Sequence, residues 1–428
     1  MKIIKGGVCA PKGFSAGGIR CGIKMSSQKK DLALIYSENI CDTAAMFTKN
    51  IVKAASVQLT QKNIENGKLH AIIANSGNAN ACTGEQGMDA AKRMVQSIAD
   101  ELQIDPSKVA VASTGVIGVP LPIDVIEKNI GALKNSLTAD EQGHLNALEA
   151  IMTTDTRKKE ITVEIEINGK TVRLGAMTKG SGMIHPNMAA SHATMLTFIT
   201  TDAAVNSSVL NVCLQNAVTR SFNRLTVDGD TSTNDTIIIM ANGEAGNTPI
   251  TGFEKHDPRI YADLRGLEEN NNLKIFYNAL EFVCISLAKM MARDGEGATK
   301  LVTVTVNGAK NEENAVILAK SIASSSLVKA ACFGADANWG RVLCAMGYSG
   351  AVFSPENVDV SYKSEIGEIT VCQNGKSVSF SEEKAKEILS SCDEIEILVN
   401  MKEGISQVSV WGCDLTYDYV KINGDYRS

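Results

Sequence analysis

"MAASHATMLTFITTDA", residues 188–203, changes character halfway along. Small residues fill its first half, and an apolar run begins at Met195. Ser191, His192 and Thr194 lie close together just before that run. A Ser-His pair suggests a hydrolase. Sequence neighbours, however, point to opposite faces of a strand and diverge on a helix, so Ser191 and His192 are badly placed to meet as nucleophile and base. No G-x-S-x-G elbow occurs in the chain. A second reading is a threonine that becomes a nucleophile once the chain is cut before it. Breaking the Ala193–Thr194 bond would free an α-amine with a pKa of about 8. That amine sits beside the hydroxyl and can take its proton directly or through water. Such a junction needs a small residue before the threonine, a pliant approach and a rigid strand after it. Ala193, Gly180-Ser181-Gly182 with the alanines, and Met195, Leu196, Phe198 and Ile199 supply these parts. On pattern alone, a loop entering a buried strand is the plainer account.

The bounds are those of an ordinary globular protein. A chain of 428 residues predicts two packed lobes. With 44% hydrophobic and 21% charged residues, the composition is unremarkable for a soluble protein. A net charge of -6 without any basic block argues against nucleic acid or anionic membrane as partner. No stretch reads as the ~20 apolar residues of a membrane span. Eleven cysteines are scattered with no C-x-x-C, which predicts reduced thiols rather than a disulfide framework or a zinc site. The opening "MKIIKGGVCAPKGF" does not read as a signal peptide, so a cytoplasmic location is expected. Gly295-Glu296-Gly297-Ala298-Thr299-Lys300 half resembles a phosphate loop, but turn or packing glycines explain it more simply.

Short apolar stretches alternate with turn signals. Residues 70–75 and 109–113 read as buried strands, and Ala90, Met94, Ile98 and Leu102 mark a helix between them. Asn168-Gly169 sits between alternating segments and predicts a type I′ hairpin, a signal repeated at Asn374-Gly375. Asn206 with Ser207 and Ser208 predicts a helix cap, the helix running to about Phe222. Residues 236–241 and 301–306 read as further strands. The mixture without a regular βαβ repeat predicts α/β sheets covered by helices, with hairpins inside.

Residues 178–203, "TKGSGMIHPNMAASHATMLTFITTDA", resemble the signature of the ornithine acetyltransferase family, the bifunctional glutamate N-acetyltransferases of arginine biosynthesis. The resemblance runs through the whole chain: "APKGFSAGGIRCGIK", "ANSGNANACTG", "ASTGVIG", "MTTDT", "SFNRLTVDGDTSTNDT", "DGEGATK", "CFGADANWGRVL" and "YVKINGDYRS" follow in order. It implies an αββα-type sandwich of mixed sheets with a smaller C-terminal lobe and a self-cleaving N-terminal-nucleophile architecture. Cleavage between Ala193 and Thr194 would give an alpha chain, 1–193, and a beta chain, 194–428, the latter carrying the C-terminal lobe. Two of each would form a heterotetramer.

The implied reaction moves an acetyl group from N2-acetylornithine to glutamate through an acetyl-threonine on Thr194, with no metal or bound cofactor. Thr114 and Gly115 resemble the family's oxyanion hole, a hydroxyl and a backbone N–H aimed at one oxygen. Thr153, Lys179, Thr194, Glu296, Asn423 and Ser428 would line the substrate site. Lys179 suits the substrate carboxylate and Glu296 the ornithine ammonium. His185 is expected to be structural, Asn187 and Asn234-Asp235 to shape the site, and Trp339 to pack in a core or interface.

The chain departs from the family at one place. It reads "PNMAASHATML" where members usually read "PNMATML", four residues longer just before the threonine. The preserved "ATML" aligns Thr194 with the cleaved position, and Ser191 after Ala190 becomes an alternative nucleophile. Two other functions stay open. One is an N-terminal-nucleophile amidase or aminopeptidase, marked by ornithine release without an acceptor. The other is an uncleaved, non-catalytic amino-acid-binding protein. Acetyl-CoA as a further donor is also open, because bifunctional and monofunctional members share these motifs.

Overall fold

One continuous sheet, folded over on itself, makes the first lobe. The computed structural model describes residues 1–24, 27–185, 195–251 and 271–425. The strands of this sheet are β1 (Lys2–Ile4), β2 (Phe14–Ile19), β3 (Leu32–Phe47), β4 (Lys68–Asn78), β5 (Val109–Val116), β6 (Lys159–Ile167), β7 (Lys170–Lys179), β8 (Leu196–Thr201) and β9 (Thr236–Ala241). They lie in the order β1-β6-β7-β8-β9-β3-β4-β5, with β2 also paired to β3. The β4–β5 and β8–β9 pairs are parallel and the others antiparallel, so the sheet is mixed.

Strand β3 is the fold line. Its first half, 32–37, pairs with β2, and its second half, 42–47, pairs with β9, with a register break between Tyr36 and Cys41. Because side chains alternate faces along a strand, each half of the sheet has an inner and an outer face. Ile72 and Ala74 of β4 meet Phe198 of β8 and Ile238 and Met240 of β9 in one buried cluster between the halves. The alternate residues face outward. Ala71 and Ile73 pack under helices α1 (Ala55–Asn63), α2 (Gly84–Leu102) and α3 (Ile123–Asn135), while α4 (Glu141–Ile151) joins the inner layer. Ile199, Ile237 and Ile239 pack under α5 (Ser207–Arg220) and α6 (Asn271–Arg293). The result is the expected four-layer αββα sandwich, built from a single hydrogen-bonded sheet.

The smaller C-terminal lobe is a second sheet in the order β13-β12-β11-β14-β10-β15. Its strands are β10 (Leu301–Ala309), β11 (Asp359–Ser364), β12 (Gly367–Gln373), β13 (Lys376–Ser377), β14 (Glu394–Asn400) and β15 (Ser406–Cys413). Helices α7 (Glu312–Ser324), α8 (Ser326–Phe333), α9 (Trp339–Gly347) and α10 (Glu382–Ser390) accompany it, and α11 (Tyr417–Asp425) returns to the first lobe. Leu301, Trp411 and Cys413 belong to the core of the first lobe, so the two lobes share apolar contact.

Local expectations can be checked one by one. Asn168 and Gly169 have φ of 50° and 71°, the left-handed pair that a type I′ turn needs, and Asn374-Gly375 repeats it at 50° and 69°. The Asn206 side chain accepts from the Val209 N–H at 3.0 Å and caps α5. That helix ends at Arg220, two residues short of the expected end, and a 3-10 turn over Phe222–Arg224 follows. Trp339 opens α9 and packs partly buried against the second core. Contrary to the expectation that no stretch approaches a membrane span, an 18-residue window of the 23-residue α6 has a mean hydropathy of 1.4, long and apolar enough to cross a membrane by composition. The physical reason is burial, since Phe276, Leu280, Val283, Leu287 and Met291 line the face it packs into the core.

Phe198 is 1% exposed at the centre of the inner layer. Phe198→Ala is expected to lower stability by about 3–5 kcal/mol, read from denaturant unfolding. Ile51→Ser, at a position 98% exposed, is expected to change it by about 0.5 kcal/mol at most.

Candidate active site

The sheet layers bring distant motifs to one small pocket. Thr114, Gly115, Thr153, Lys179, Glu296 and Asn423 all line it, with Gly182, Met183 and Ser232-Thr233-Asn234 completing the wall. Its cavity volume is about 90 Å³, against about 550 Å³ for each of two clefts elsewhere, beside Arg157 and Lys421 and beside Trp411. The larger clefts hold none of the residues singled out as the reaction centre. Thr194, Ala193 and the alternative Ser191 lie outside the described residues, as do Asn187 and Ser428. Met195, one peptide bond after Thr194, is buried, and its N–H donates to Asp235 Oδ1 at 2.6 Å.

Thr114 and Gly115 sit where β5 leaves the sheet. Gly115 has φ of 133°, and a Cβ there would stand 2.4 Å from the Gly77 carbonyl carbon of β4, so only glycine fits. Asn234 donates to the Ser113 carbonyl at 2.7 Å and to the Ala79 carbonyl at 2.5 Å, which holds the β5 end in place. Lys179, the last residue of β7, lies opposite Leu196 of β8. Its ammonium is 3.3 Å from Thr114 Oγ1. When that oxygen accepts from the lysine, the Thr114 O–H is left to donate into the pocket.

Glu296 is set by its backbone and by α11. Its N–H donates to the Ser181 carbonyl at 2.9 Å, and Asn423 donates through Nδ2 to Glu296 Oε2 at 2.9 Å. A Cβ on Gly182 would stand 2.3 Å from that same oxygen, so the glycine lets the carboxylate lie against the loop. His185 pairs through Nδ1 with Thr226 Oγ1 at 2.9 Å and is not among the pocket residues, in line with a structural role. Asp228 accepts from the Met183 and Ile184 N–H groups and ties down the same loop.

The electrostatics centre on Lys179, Asp235 and a group that reading the sequence did not single out, Asp155. Asp155 is fully buried and accepts from Thr153 N at 2.9 Å, Gly180 N at 2.7 Å and Lys159 Nζ at 2.8 Å. Burial alone would raise its pKa, but Lys179, Lys159 and the backbone donors outweigh it and hold the carboxyl below its usual range. Burial lowers the pKa of Lys179; Asp155, Asp235 and Glu296 pull it up and Lys159 pushes it down, and the net shift is downward. Burial also raises Asp235 well above a normal carboxyl, with only the Met195 N–H and Lys179 opposing. Its Oδ2 has no partner among the described residues. Asp155 and Asp294 each fall inside a motif quoted above, so the motifs marked their segments but not their roles, whereas Asp235 was expected to shape the site. No group of three or more His, Cys, Asp or Glu suited to a metal occurs among the described residues.

A hydroxyl and a glycine amide beside a buried cation and a carboxylate make chemical sense in an enzyme that moves a small acyl group between amines, and that is the class into which the chain falls. A family model described as the ArgJ family matches residues 15–428. The arginine biosynthesis bifunctional protein ArgJ of Caldanaerobacter subterraneus subsp. tengcongensis is 50% identical over 428 residues and covers 100% of both chains. The protein of the same name from Symbiobacterium thermophilum is 49% identical over 429 residues, again covering 100% of both. A crystal structure of the Bacillus halodurans ArgJ protein is 44% identical, covers 53% of this chain and 97% of its own, and gives a TM-score of 0.47. The chain belongs to the ArgJ family, and it is an acetyltransferase of arginine biosynthesis.

A carboxyl with a lower pKa folded than unfolded binds fewer protons when folded. It therefore stabilises the fold above its unfolded value of about 3.9, and that contribution drains away as pH falls through the folded pKa. Asp155→Asn is accordingly expected to be destabilising, with the largest gap from the parent near neutral pH. Scanning calorimetry should show the gap narrowing below about pH 4.

Proposed function

We propose that Thr194 is the nucleophile of this acetyltransferase and that the pocket around Thr114, Lys179 and Glu296 is where the acetyl group changes hands. The observation that carries this is convergence. Six residues from five motifs line one pocket, and Met195, the neighbour of Thr194, is anchored by Asp235 in the layer that supplies Lys179. In the first step the Thr194 hydroxyl attacks the Ala193 carbonyl and the acyl group shifts from nitrogen to oxygen, which frees the α-amine; water then hydrolyses the ester, releasing the Ala193 carboxylate and restoring the hydroxyl. The chain thereby becomes fragments of 193 and 235 residues, the proposed alpha and beta chains.

Transfer then runs in two halves. The Thr194 hydroxyl gives its proton to the neighbouring amine and attacks the acetyl carbon of N2-acetylornithine. Ornithine leaves with that proton, and an acetyl ester stays on the threonine. The α-amine of glutamate attacks the ester and departs as N-acetylglutamate, and the threonine oxygen is reprotonated. In both halves charge develops on the acetyl oxygen, within reach of the Thr114 O–H and the Gly115 N–H, each worth about 3 kcal/mol of barrier. Lys179 receives the substrate carboxylate. Glu296, oriented by Asn423, receives the ornithine ammonium, and Thr153 and Ser428 add neutral hydrogen bonds.

One amide is exchanged for another of similar energy, so the reading needs no bound cofactor. Acetyl-CoA would enter as a second donor to the same threonine, which N-acetylglutamate formation from acetyl-CoA and glutamate tests. Eleven unpaired cysteines favour a reducing, cytoplasmic setting. Two processed protomers are proposed to associate as a heterotetramer, to be read by sedimentation.

Denaturing intact-mass analysis is expected to find two species, the larger beginning at Thr194. Thr194→Ala is expected to leave one inactive 45.6 kDa chain; cleavage of that variant at the same bond would overturn the assignment. Thr114→Val, which keeps the shape but removes the donor, is expected to lower kcat about 10²–10³-fold in a steady-state transfer assay.

A further inference from the structure

We propose that Lys159, buried outside the pocket, is a positioning residue for the acetyl transfer: it clamps Asp155 to Asp294 and thereby holds Thr153, Lys179 and Glu296 in one frame. Lys159 is 1% exposed and opens β6. Its ammonium lies 2.8 Å from Asp155 Oδ1 and forms a second, closer ion pair with Asp294 Oδ2. Neither the lysine nor Asp155 lines the pocket.

Each carboxylate in turn holds a piece of the site. Asp155 accepts from the N–H of Thr153 and from that of Gly180, the residue after Lys179. Asp294 accepts from the Thr156 and Arg157 N–H groups at 3.2 and 3.3 Å and from the Thr156 hydroxyl. It stands two residues before Glu296. A cross-link between the Thr154 and Ser181 hydroxyls at 2.8 Å, and the Glu296 N–H to Ser181 carbonyl bond, stitch the same three segments together on the pocket side. The segments come from the approach to β6, the end of β7 and the end of α6, and Lys159 is the side chain that joins two of their buried acids. A bare pair of buried carboxylates would repel and separate, and a displacement of about 1 Å at a reacting site can cost about 100-fold in rate.

The same ammonium also acts on Lys179 through the field. The charged groups facing Lys179 are Asp155, Asp235 and Glu296, which favour its cationic form, and Lys159 and Lys24, which oppose it. Removing Lys159 therefore raises the pH at which Lys179 loses its proton. A brace that carried no charge would leave that pH unchanged.

The test compares wild type, Lys159→Met, Lys159→Met with Asp294→Asn, and Lys179→Met, following kcat/KM for N2-acetylornithine against pH. The double variant removes one charge of each sign and leaves no unpaired buried acid at Asp294. We expect it to fold and self-process and to lose about tenfold or more in kcat/KM, and we expect Lys159→Met alone to show its alkaline limb moved up. Wild-type kcat/KM with an unmoved limb would overturn the proposal. So would failure of the double variant to fold, which would assign Lys159 to the fold alone. The inference rests on Lys179 as the carboxylate partner. That reading fails separately if Lys179→Met keeps wild-type affinity and the wild-type alkaline limb.

Discussion

The buried Asp155 carboxylate is the interaction on which the site depends. A charge with no exposure is tolerable only if opposite charge and donors surround it, and here two lysines and two backbone N–H groups do so. Satisfying Asp155 fixes where Thr153 and Gly180 can be. It also keeps Lys179 near enough to favour its charged form at a position where burial opposes it. The pocket thus inherits its geometry from an ion network behind its wall.

Much of the fold was legible because its signals are local. Asn168-Gly169 and Asn374-Gly375 demand a particular turn whatever surrounds them, and Asn206 supplies its own cap. The layering was not legible from periodicity. Ile72 and Ile73 look alike in sequence, yet one faces the second sheet layer and the other faces helices. A strand buried on both faces is a continuous apolar run and does not say what covers each side. The fold-over at β3 is equally silent, since a register break between Tyr36 and Cys41 leaves no residue signature. The αββα arrangement came from the family resemblance and not from the pattern.

The site divides in the same way. Thr114, Gly115, Thr153, Lys179, Glu296 and Asn423 were named before the structure because their motifs match, and they share one pocket. Asp235 was expected to shape the site, but Asp155 and Asp294 stood inside the same motifs without a role, because a buried acid and a solvated one read identically in sequence. Lys159 stood outside every motif. Its significance is a matter of three-dimensional proximity between residues 155 and 294, which no spacing rule reaches.

The four extra residues before the threonine bear on which residue is the nucleophile. Strand β8 is held from both sides, by Lys179 opposite Leu196 in β7 and by Thr236 beside Leu196 in β9. Asp235 extends that hold by one residue to the Met195 N–H, and the Met195 carbonyl accepts from the Thr236 N–H at 3.1 Å. Residue 194 therefore adjoins a fixed peptide, whereas residue 191 stands three positions further from it along the chain. Catalysis by a covalent nucleophile requires the attacking oxygen to be held to within a fraction of an ångström. An insertion upstream of the anchor lengthens the approach in sequence and leaves Thr194 next to Met195. The anchored Met195 is thus the physical support for the proposal of Thr194 over Ser191, beside the preserved "ATML".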